Sequence, residues 1–484
     1  MGRYSKMKYS FLIEGADLNL DKNILYIRLL WVVLFVLLFV ILFLSLSKPF
    51  DPDELESIHA SWKIFSGQRI YVDFFEHHHP FFYYMLVPLI GIFKESVITV
   101  IAARVLIIPM LLVIFVITYN ISKDLFGKEP ALISLVLLAT TNVFIWKAVE
   151  VRPDVPQTLF GLLSVSVLFR YFQKNSLKYL VLSAVSLGLS FLFLQKALFL
   201  MLVLGVLLLW SGYTNQIKFR DIGVFAITFI AILMPYYVYL FFTDQLQAYW
   251  VYNWTMNSGV LQYASLSHGG DVMWKLISSF KDNPVLWIFW LLSLALLDTP
   301  NQERLGAISL FLLIIFILAQ VSYSQYLMLV MPLIAIMAGY AVHRLASLFS
   351  DKKLFITGLV VMMSIFYPLG SYFKAIKFYS NAAELGKMEY VLSITKPKDL
   401  VYDGGSFFNL FRNDLDFFWF STEDARVFSW IRGKTAYHYD VYELIDKLKP
   451  KVISQYHIGN MKDYRIAHHY RRSGKYRDLF IRIN

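Results

Sequence analysis

Carboxylates and histidines gather in one short stretch that directly follows the first apolar segment of the chain. Asp53 and Glu54 come after Pro52, and Glu76 precedes three histidines and Pro80. Ionisable side chains at a membrane surface are costly to hold near hydrocarbon, so they are functional candidates by default. A carboxylate in such a place can take a proton from a hydroxyl group.

A second acid stands further along the chain, in the short segment EVRPDVPQ between two apolar blocks. Asp154 lies there, two residues after Arg152. Each acid also has a purely structural interpretation, because Asp53 and Glu54 complement the dipole of a helix that starts there. Asp154 likewise fits a helix N-cap before Val155. Two such acids near histidines make a shared site the stronger hypothesis.

The histidines leave several interpretations open. Imidazole and carboxylate are common metal ligands, so Glu76 and the three histidines His77, His78 and His79 could hold an ion. Adjacent histidines cannot easily all reach one ion, however, and a metal is the less favoured interpretation. The same side chains could instead hydrogen-bond a phosphate leaving group, or form only a solvated interfacial loop.

Two further polar pairs interrupt or open apolar blocks. Gln195 and Lys196 interrupt the long apolar stretch 179–210, and Gln325 and Tyr326 open a later block. A lysine there can simply extend its amine to the lipid headgroups. Beside a lipid phosphate, it would instead neutralise developing negative charge.

Composition fixes the class of protein. Of 484 residues, 58% are hydrophobic and 16% charged, which indicates an all-α polytopic membrane protein. The net charge of +11 is explained by membrane-facing loops and anionic headgroups rather than by nucleic acid. Cysteine is absent, so disulfides and thiolate chemistry are excluded.

The apolar blocks predict about eleven transmembrane helices. They lie near 29–46, 99–119, 131–146, 155–172, 179–194, 197–212, 222–242, 284–298, 306–320, 325–345 and 354–371. Basic residues before the first block place the N-terminus in the cytoplasm, and the basic residues of five later loops fall on that same side. The acids above then share the extracytoplasmic face.

Two regions lie outside these blocks. Residues 47–98 are predicted to form a long first external loop with surface-lying helices, since 80–93 is short for a span and 54–65 has an apolar stripe. Residues 1–371 thus form the membrane domain. Residues 372–484 are predicted to form a small external α/β domain, with a helix in VYELIDKL and a hairpin closed at Ser473.

At these residues the chain resembles the C-type glycosyltransferases, specifically the dolichyl-phosphate-mannose protein mannosyltransferase-like group. Aminoarabinose transferases of lipid A belong to the same superfamily. The similarity covers roughly residues 20–345. It rests on several ordered pieces, namely Asp53-Glu54 with ESIHASWKIFSGQ, then YVDFFEHHHPFFYYM, IAARVLIIPML, RPDVPQTLF, FLFLQKALFL and YSQYLMLVMPLIAI. One departure is His-His-His-Pro where many relatives have Lys-Pro or His-Pro-Pro.

The resemblance implies inverting transfer of a sugar from a polyprenyl-phosphate donor to an extracytoplasmic lipid, glycan or protein acceptor. By position, Asp53 matches the general base, with Glu54 and Asp154 orienting acceptor and sugar. Candidates for contacting the donor phosphate or substrate are the remaining polar residues named above, Glu76, His78, His79, Arg152, Lys196, Gln325 and Tyr326. The resemblance identifies no specific cofactor, and a divalent metal is compatible with the chemistry.

The competing hypothesis is a lipid or glycan transporter or flippase. Transporters carry ionisable residues inside their spans near the bilayer midplane. Here most apolar blocks lack charge, and the acids cluster on one face beside loops. This distribution favours the transferase.

Overall fold

The computed structural model describes residues 4–259, 271–318, 324–349, 352–378, 380–405, 408–419 and 440–483. Within them the chain is mostly helical. The helices are α1 (Tyr4–Ser47), α2 (Pro52–Phe65), α3 (Phe81–Phe93), α4 (Val97–Phe126), α5 (Lys128–Ala139), α6 (Asn142–Ala148), α7 (Asp154–Lys174), α8 (Leu177–Phe193), α9 (Ala197–Tyr213), α10 (Phe219–Phe242), α11 (Leu246–Trp250), α12 (Asp271–Asp282), α13 (Pro284–Ser293), α14 (Pro300–Leu318), α15 (Met331–Ser347), α16 (Lys353–Phe378), α17 (Ala382–Ile394), α18 (Val441–Leu448) and α19 (Tyr464–Ala467). A π-helical turn (Val251–Met256) continues α11, and a 3-10 helix (Ser324–Met328) precedes α15.

The chain is a multi-pass membrane protein. Among the described residues, six helices are long and apolar enough to cross a bilayer: α1 from Ile24, α4, α7, α10, α14 and α16. A seventh span is counted if α5 and α6, which meet at a bend of 73°, are taken together. Four of the predicted spans correspond to the shorter helices α8, α9, α13 and α15. The count of eleven therefore stays a prediction.

Close helix packing places the loops that carry the polar residues. α7 packs along α8, and α15 packs against both α5 and α13. The contact between α15 and α5 is tight at Gly339, where an added Cβ would lie 2.7 Å from the backbone nitrogen of Ser134. Small residues allow such close approach of helices within a membrane.

The segment between α1 and α4 holds two short helices. α2 has 14 residues and α3 has 13. At 1.5 Å per residue each is about 20 Å long, which is shorter than the ~30 Å hydrocarbon layer. This agrees with the prediction of two short helices in this loop. On α2, Leu55, Ile58 and Trp62 of the predicted apolar stripe are buried, whereas Phe65 is exposed.

The prediction that α2 lies on the surface as an amphipathic helix is wrong in one respect, since its polar face is buried too. Residues 408–419 of the C-terminal part cover that face. Both ring nitrogens of His59 are engaged there, Nδ1 at 3.0 Å from the Leu410 carbonyl oxygen and Nε2 at 2.8 Å from Asp414. Lys63 pairs with the same carboxylate at 2.5 Å. We call these contacts the α2–tail contact.

The C-terminal part contains a four-stranded sheet, in the order β1 (Val401–Tyr402), β2 (Val452–Ser454), β4 (Leu479–Arg482) and β3 (Tyr470–Arg472). β1 and β2 are parallel, and the other two pairs are antiparallel. The β3–β4 hairpin and helix α18 thus occur where the sequence predicts them. Alternate residues face two cores: Val452 joins the core of the membrane helices, and Ile453 packs in a small cluster with Ile445 of α18.

Candidate active site

The site begins where helix α2 starts. Asp51 is the N-cap, and its carboxylate accepts a hydrogen bond from the Asp53 N–H at 3.2 Å. The Asp51 N–H in turn donates to Glu54 at 2.9 Å, which completes a capping box, and Pro52 occupies the first helical turn. Both acids lie in the first turn of α2, so the structural interpretation holds for Asp53 as well as for Glu54. Asp53 takes no part in the capping box through its side chain.

Glu54 is fully buried and fully engaged. Arg104 of α4 donates to both of its oxygens, at 2.9 and 2.7 Å, and the N–H of Val151 donates at 3.0 Å. Arg104 also donates to the carbonyl oxygens of Lys48 and Pro49. Glu54 therefore ties together three distant segments of the chain, and it has no free oxygen for a substrate. This differs from the expectation that Glu54 orients acceptor and sugar.

Arg152 joins the two other acids that the sequence singles out. Its Nη2 lies 2.5 Å from Asp53 Oδ2, and its Nε lies 3.5 Å from Asp154 Oδ2. Its Nη1 lies 3.1 Å from Asp51. Asp53 and Asp154 therefore meet around one guanidinium, as the hypothesis of a shared site requires. We call Asp51, Asp53, Arg152, Asp154 and Lys196 the α2–α7 charge cluster.

Lys196 enters this cluster from the turn between α8 and α9. Its Nζ lies 3.1 Å from Asp154 Oδ1 and 3.8 Å from the centre of the Tyr326 ring. Asp154 is buried and makes no N-cap hydrogen bond through its side chain. Gln325 lies beside Tyr326 but, among the described residues, forms no hydrogen bond with the cluster. Lys196 and Tyr326 thus lie together against Asp154, and their contact with a donor phosphate stays a prediction.

Exposure distinguishes the three acids that the sequence predicts to be catalytic. The side chain of Asp53 is 46% exposed, compared with 3% for Asp154 and 0% for Glu54. The ion pair with Arg152 uses Oδ2 of Asp53. Oδ1 accepts no hydrogen bond from the described residues. Asp53 is therefore the carboxylate of the three that an incoming hydroxyl group can reach.

A second row of charges supports the cluster from the side of α6. Lys147 lies 2.7 Å from Asp51 and 3.0 Å from Glu150, and Lys48 lies 2.6 Å from Glu150. Burial acts to raise the pKa of Asp51, but Arg152 and Lys147 outweigh it, and the pKa is lowered. Asp51 consequently stays ionised and is a poor proton acceptor.

His79 does not face the cluster, contrary to the prediction that it contacts the donor phosphate. Its Nδ1 lies 2.6 Å from the carbonyl oxygen of Phe191, and its Nε2 lies 2.9 Å from the hydroxyl of Tyr249. The side chain is buried, and burial lowers its pKa to about 4, so the ring is neutral. His79 anchors the first loop to α8 and α11.

His78 and Glu76 lie beside the cluster. The ring of His78 is 25% exposed, and its Nδ1 lies 3.1 Å from Glu76 Oε1. The charge of Asp154 lies within electrostatic range of His78. Glu76 itself is completely buried, and the N–H groups of His77 and His78 also donate to its Oε1. His78 thus remains a candidate phosphate contact, and Glu76 holds it in place.

Sequence reasoning missed several partners in this site. Asp51 had a local signal, because Asp51 and Glu54 have the spacing of a capping box. Arg104 is the single charged residue of the apolar stretch 97–122, and a charge at such a position requires a buried counter-ion. Glu56 had no local signal, since only the fold brings it beside Glu76.

A cleft of about 680 Å³ lies elsewhere, between Tyr171, Asn175, Gln216 and Arg304. Tyr171 is near the C-terminal end of α7, while Asp154 is at its first residue. A helix of this length separates the two by about 25–30 Å. The cleft therefore takes no part in the charge cluster.

Comparison with known proteins matches about a third of the chain to one family model. The family model described as dolichyl-phosphate-mannose-protein mannosyltransferase matches residues 77–242, which include Arg152, Asp154 and Lys196. No curated protein matches the sequence.

Three solved structures share the architecture over most of the chain. ArnT from Cupriavidus metallidurans bound to undecaprenyl phosphate has a TM-score of 0.64 at 13% identity, covering 96% of this chain and 98% of that one. The apo oligosaccharyltransferase of Archaeoglobus fulgidus has a TM-score of 0.56 at 10% identity, covering 90% and 71%. The same archaeal protein in complex with an inhibitory peptide and a dolichol-phosphate has a TM-score of 0.51 at 11% identity, covering 90% and 70%.

At these identities the likeness establishes the fold. It confirms the resemblance found in the sequence: the chain shares the fold of ArnT and of the archaeal oligosaccharyltransferase, and residues 77–242 match the dolichyl-phosphate-mannose-protein mannosyltransferase model.

Proposed function

We propose that the chain is an inverting membrane glycosyltransferase that moves a sugar from a polyprenyl-phosphate donor to a hydroxyl group of an acceptor, with Asp53 as general base. The shared fold supports this, since ArnT is seen with undecaprenyl phosphate and the archaeal enzyme with a dolichol-phosphate. The acceptor is an extracytoplasmic lipid, glycan or protein.

One observation carries the proposal: an accessible carboxylate stands beside a group of buried cations. Asp53 is about half exposed, whereas Arg152 and Lys196, at 4% and 13%, are largely removed from water. An anion that enters this place meets two positive charges of low hydration. A hydroxyl group that approaches at the same time meets the free oxygen of Asp53.

The reaction then follows from these positions. The acceptor oxygen attacks the anomeric carbon while its proton passes to Oδ1 of Asp53. The bond between that carbon and the phosphate oxygen breaks on the opposite side, so the configuration inverts. The electron pair leaves with the lipid phosphate, and no general acid is needed. Arg152, Lys196 and His78 stabilise the added negative charge.

Asp154 and Glu54 act by positioning. Asp154 is buried against Lys196 and Arg152, and it holds both cations at the site. Glu54 fixes the start of α2 against α4 and against the loop before α7 through Arg104 and Val151. Neither acid contacts the reacting atoms in this scheme.

The orientation belongs to the same proposal. The N-terminus lies in the cytoplasm, and the charge cluster and the C-terminal part lie on the opposite side. Basic residues are concentrated on the cytoplasmic side by the counting of loops described above. The lipid tail of the donor then lies among the spans while its phosphate reaches the cluster.

The test is transfer of label by the purified protein in detergent or proteoliposomes. A polyprenyl-phosphate donor with a radiolabelled sugar is supplied together with envelope lipid, glycan or peptide acceptors. We expect label in an acceptor with the wild type, and a rate lower by roughly 10²–10⁴-fold in Asp53→Asn. Asp73→Asn is the matched control, because Asp73 is an exposed acid of the same loop whose contact is with Arg69.

Unchanged turnover in Asp53→Asn would overturn the assignment of the base. Movement of donor lipid across proteoliposomes without any covalent product would favour the flippase hypothesis instead.

A further inference from the structure

The cleft between the end of α7 and the start of α14 lies at the end of the spans opposite the charge cluster. It has a volume of about 680 Å³, and three separate parts of the chain line it. Tyr171 and Asn175 belong to the end of α7, Gln216 to the loop between α9 and α10, and Arg304 to the start of α14. Ligand sites have volumes of roughly 300–1,000 Å³, so the cleft is large enough to bind a ligand.

Arg304 is the only charged residue that lines this cleft among the residues that the structure describes. Its guanidinium lies over the ring of Phe172, 3.9 Å from the ring centre. It donates hydrogen bonds to the amide oxygen of Asn301, at 2.5 Å, and to that of Gln216. Both acceptors are neutral, and within the described ranges Arg304 forms no ion pair. The cleft therefore holds a positive charge that lacks a counter-ion.

The acids near the cleft do not neutralise this charge. Glu303 is exposed and acts on Arg304 only through space. Asp221 is buried and accepts a hydrogen bond from the Tyr171 hydroxyl at 2.7 Å. Asp298 pairs with an arginine of α15 at 3.4 Å. None of these three acids lines the cleft, so an anion that enters it meets no carboxylate.

Neutral donors surround the guanidinium. The amides of Gln216 and Asn301 use their oxygens as acceptors for Arg304. Their NH₂ groups donate no hydrogen bond to any other residue in the described part of the chain. The guanidinium also has N–H groups beyond the two that these amides accept. The cleft thus offers several hydrogen-bond donors around one positive charge, which suits an oxyanion.

The side chains around the cleft place it at the level of the lipid headgroups. Trp210, Tyr213 and Phe219 flank the loop between α9 and α10, and they are 61%, 75% and 63% exposed. Tryptophan and tyrosine are enriched where a membrane meets water. Lys174 and Lys218, which are next in sequence to lining residues, are exposed as well. At this level the abundant oxyanions are the phosphates of lipids.

We propose that this cleft binds the phosphate group of an anionic phospholipid, with Arg304 as the cation that pairs with it. A planar guanidinium binds two phosphate oxygens at once, and basic pockets between membrane helices bind anionic headgroups. The amides of Gln216 and Asn301 hold the guanidinium and donate to the same phosphate. The acyl chains then lie against α10, where Ile227 and Ile230 are exposed.

The proposal goes beyond the transfer of sugar and does not depend on it. By the orientation proposed above, the cleft opens at the cytoplasmic face, away from the proposed reaction. The competing explanation is that Arg304 attracts anionic lipids without a defined place, as any basic side chain at a membrane surface does. In that case any other exposed arginine at the same surface would be equivalent to Arg304.

The test uses the full-length protein, stripped of lipid in a neutral detergent, with dioleoyl-phosphatidylglycerol as the probe. Native mass spectrometry measures the retained lipid at increasing probe concentrations. We expect one tightly retained phosphatidylglycerol per chain in the wild type, and binding at least about fivefold weaker in Arg304→Gln. Arg304→Lys keeps the charge but loses the planar group, so its affinity should be intermediate. Dioleoyl-phosphatidylcholine, which has no net charge, should bind the wild type more weakly than phosphatidylglycerol.

Arg28→Gln is the matched control, because Arg28 is an exposed arginine at the end of α1 away from α2. Helix α1 packs against α4, α5 and α16, away from the cleft. This variant should bind phosphatidylglycerol as the wild type does. Thermal unfolding guards against variants that do not fold: the lipid should raise the melting temperature of the wild type and of Arg28→Gln but not of Arg304→Gln. Gln216→Ala, in an exposed loop, is a second variant that should show a smaller loss of binding.

Equal binding of phosphatidylglycerol by the wild type and Arg304→Gln, or an equal loss in Arg28→Gln, would overturn the proposal. Inorganic phosphate tests the source of the phosphate group. If it stabilises the wild type as much as phosphatidylglycerol does, the ligand is a soluble phosphate compound, and the assignment to a lipid is wrong. These measurements contain no sugar donor, so a protein that transfers no sugar would leave their outcome unchanged.

Discussion

The two ends of helix α2 use the same kinds of side chain for opposite purposes. At its start, the α2–α7 charge cluster leaves Asp53 half exposed with one oxygen open. Near its end, the α2–tail contact places Asp414 between His59, Lys63 and Asn409, with a side-chain exposure of 13%. Ion pairing alone therefore does not identify a reactive carboxylate. The distinguishing property is an oxygen that is accessible beside buried cations.

The largest effect on stability is expected when the charge of Glu54, the neighbour of Asp53, is removed. Glu54→Gln leaves Arg104 as a buried charge with a weakened partner, which we expect to cost about 3–5 kcal/mol of folding free energy. Asp53→Asn should change the melting temperature little. Intrinsic fluorescence during heating in detergent measures both variants. Equal melting temperatures would show that the two acids do not differ as their burial indicates.

The next effect concerns the cations of the cluster. Lys196→Ala removes one of the two buried cations beside the proposed phosphate position, and we expect roughly 10²-fold lower kcat/KM for the donor. The measurement is initial rates at varied donor concentration. Lys178→Ala is the control, because Lys178 is an exposed lysine at the start of α8. If both variants lose the same fraction of kcat/KM, Lys196 has no specific role toward the donor phosphate.

The α2–tail contact should respond in stability rather than in rate. His59 and Lys63 outweigh the effect of burial and lower the pKa of Asp414 to about 2, so it is charged at neutral pH. Asp414→Asn should lower the free energy of unfolding by about 1–3 kcal/mol while kcat per folded molecule is kept. Thermal unfolding and initial rates on the same preparation separate the two. A loss of kcat without a loss of stability would place this contact in the catalytic machinery.

The smallest effect is a pH dependence at Asp403, which also borders this contact. Burial, together with the charge of Asp414, raises the pKa of Asp403 to about 6. An unfolded chain would have it near 4. Ionised Asp403 therefore costs stability above pH 6, and this cost disappears as the pH falls towards 4. Asp403→Asn should raise the melting temperature by about 1 °C at pH 8 and leave it unchanged at pH 4. A gain that is equal at both pH values would contradict this assignment.

The sequence predicts the meeting of Asp53, Arg152, Asp154, Lys196 and Tyr326 because each stands at the end of an apolar block on the same side. Alternation of spans is enough to place such residues on one face. It is not enough to say which of them is buried, since burial depends on contacts made over long distances in the chain.

Glu54 and His79 show this limit. Both stand in the predicted loop with Asp53 and His78, and local sequence does not distinguish them. Glu54 is saturated by Arg104, which is 50 residues away, and His79 by Phe191 and Tyr249, which are 112 and 170 residues away. The covering of α2 by residues 408–419 is of the same kind. The hydropathy of the sequence predicts the apolar blocks. Packing between these blocks determines which polar side chains are buried and paired and which stay accessible.

The hydrogen bonds of Glu54 also constrain when the site can form while the chain is being synthesised and inserted into the membrane. Its partners are Arg104 on α4 and the N–H of Val151, just before α7, so its bonds cannot all form until about a third of the chain has been inserted. Contacts between such distant segments form late and slowly. A nascent chain with only its first helix in the bilayer therefore lacks the clamp that sets the start of α2, and catalytic competence would arise only once the later helices have docked.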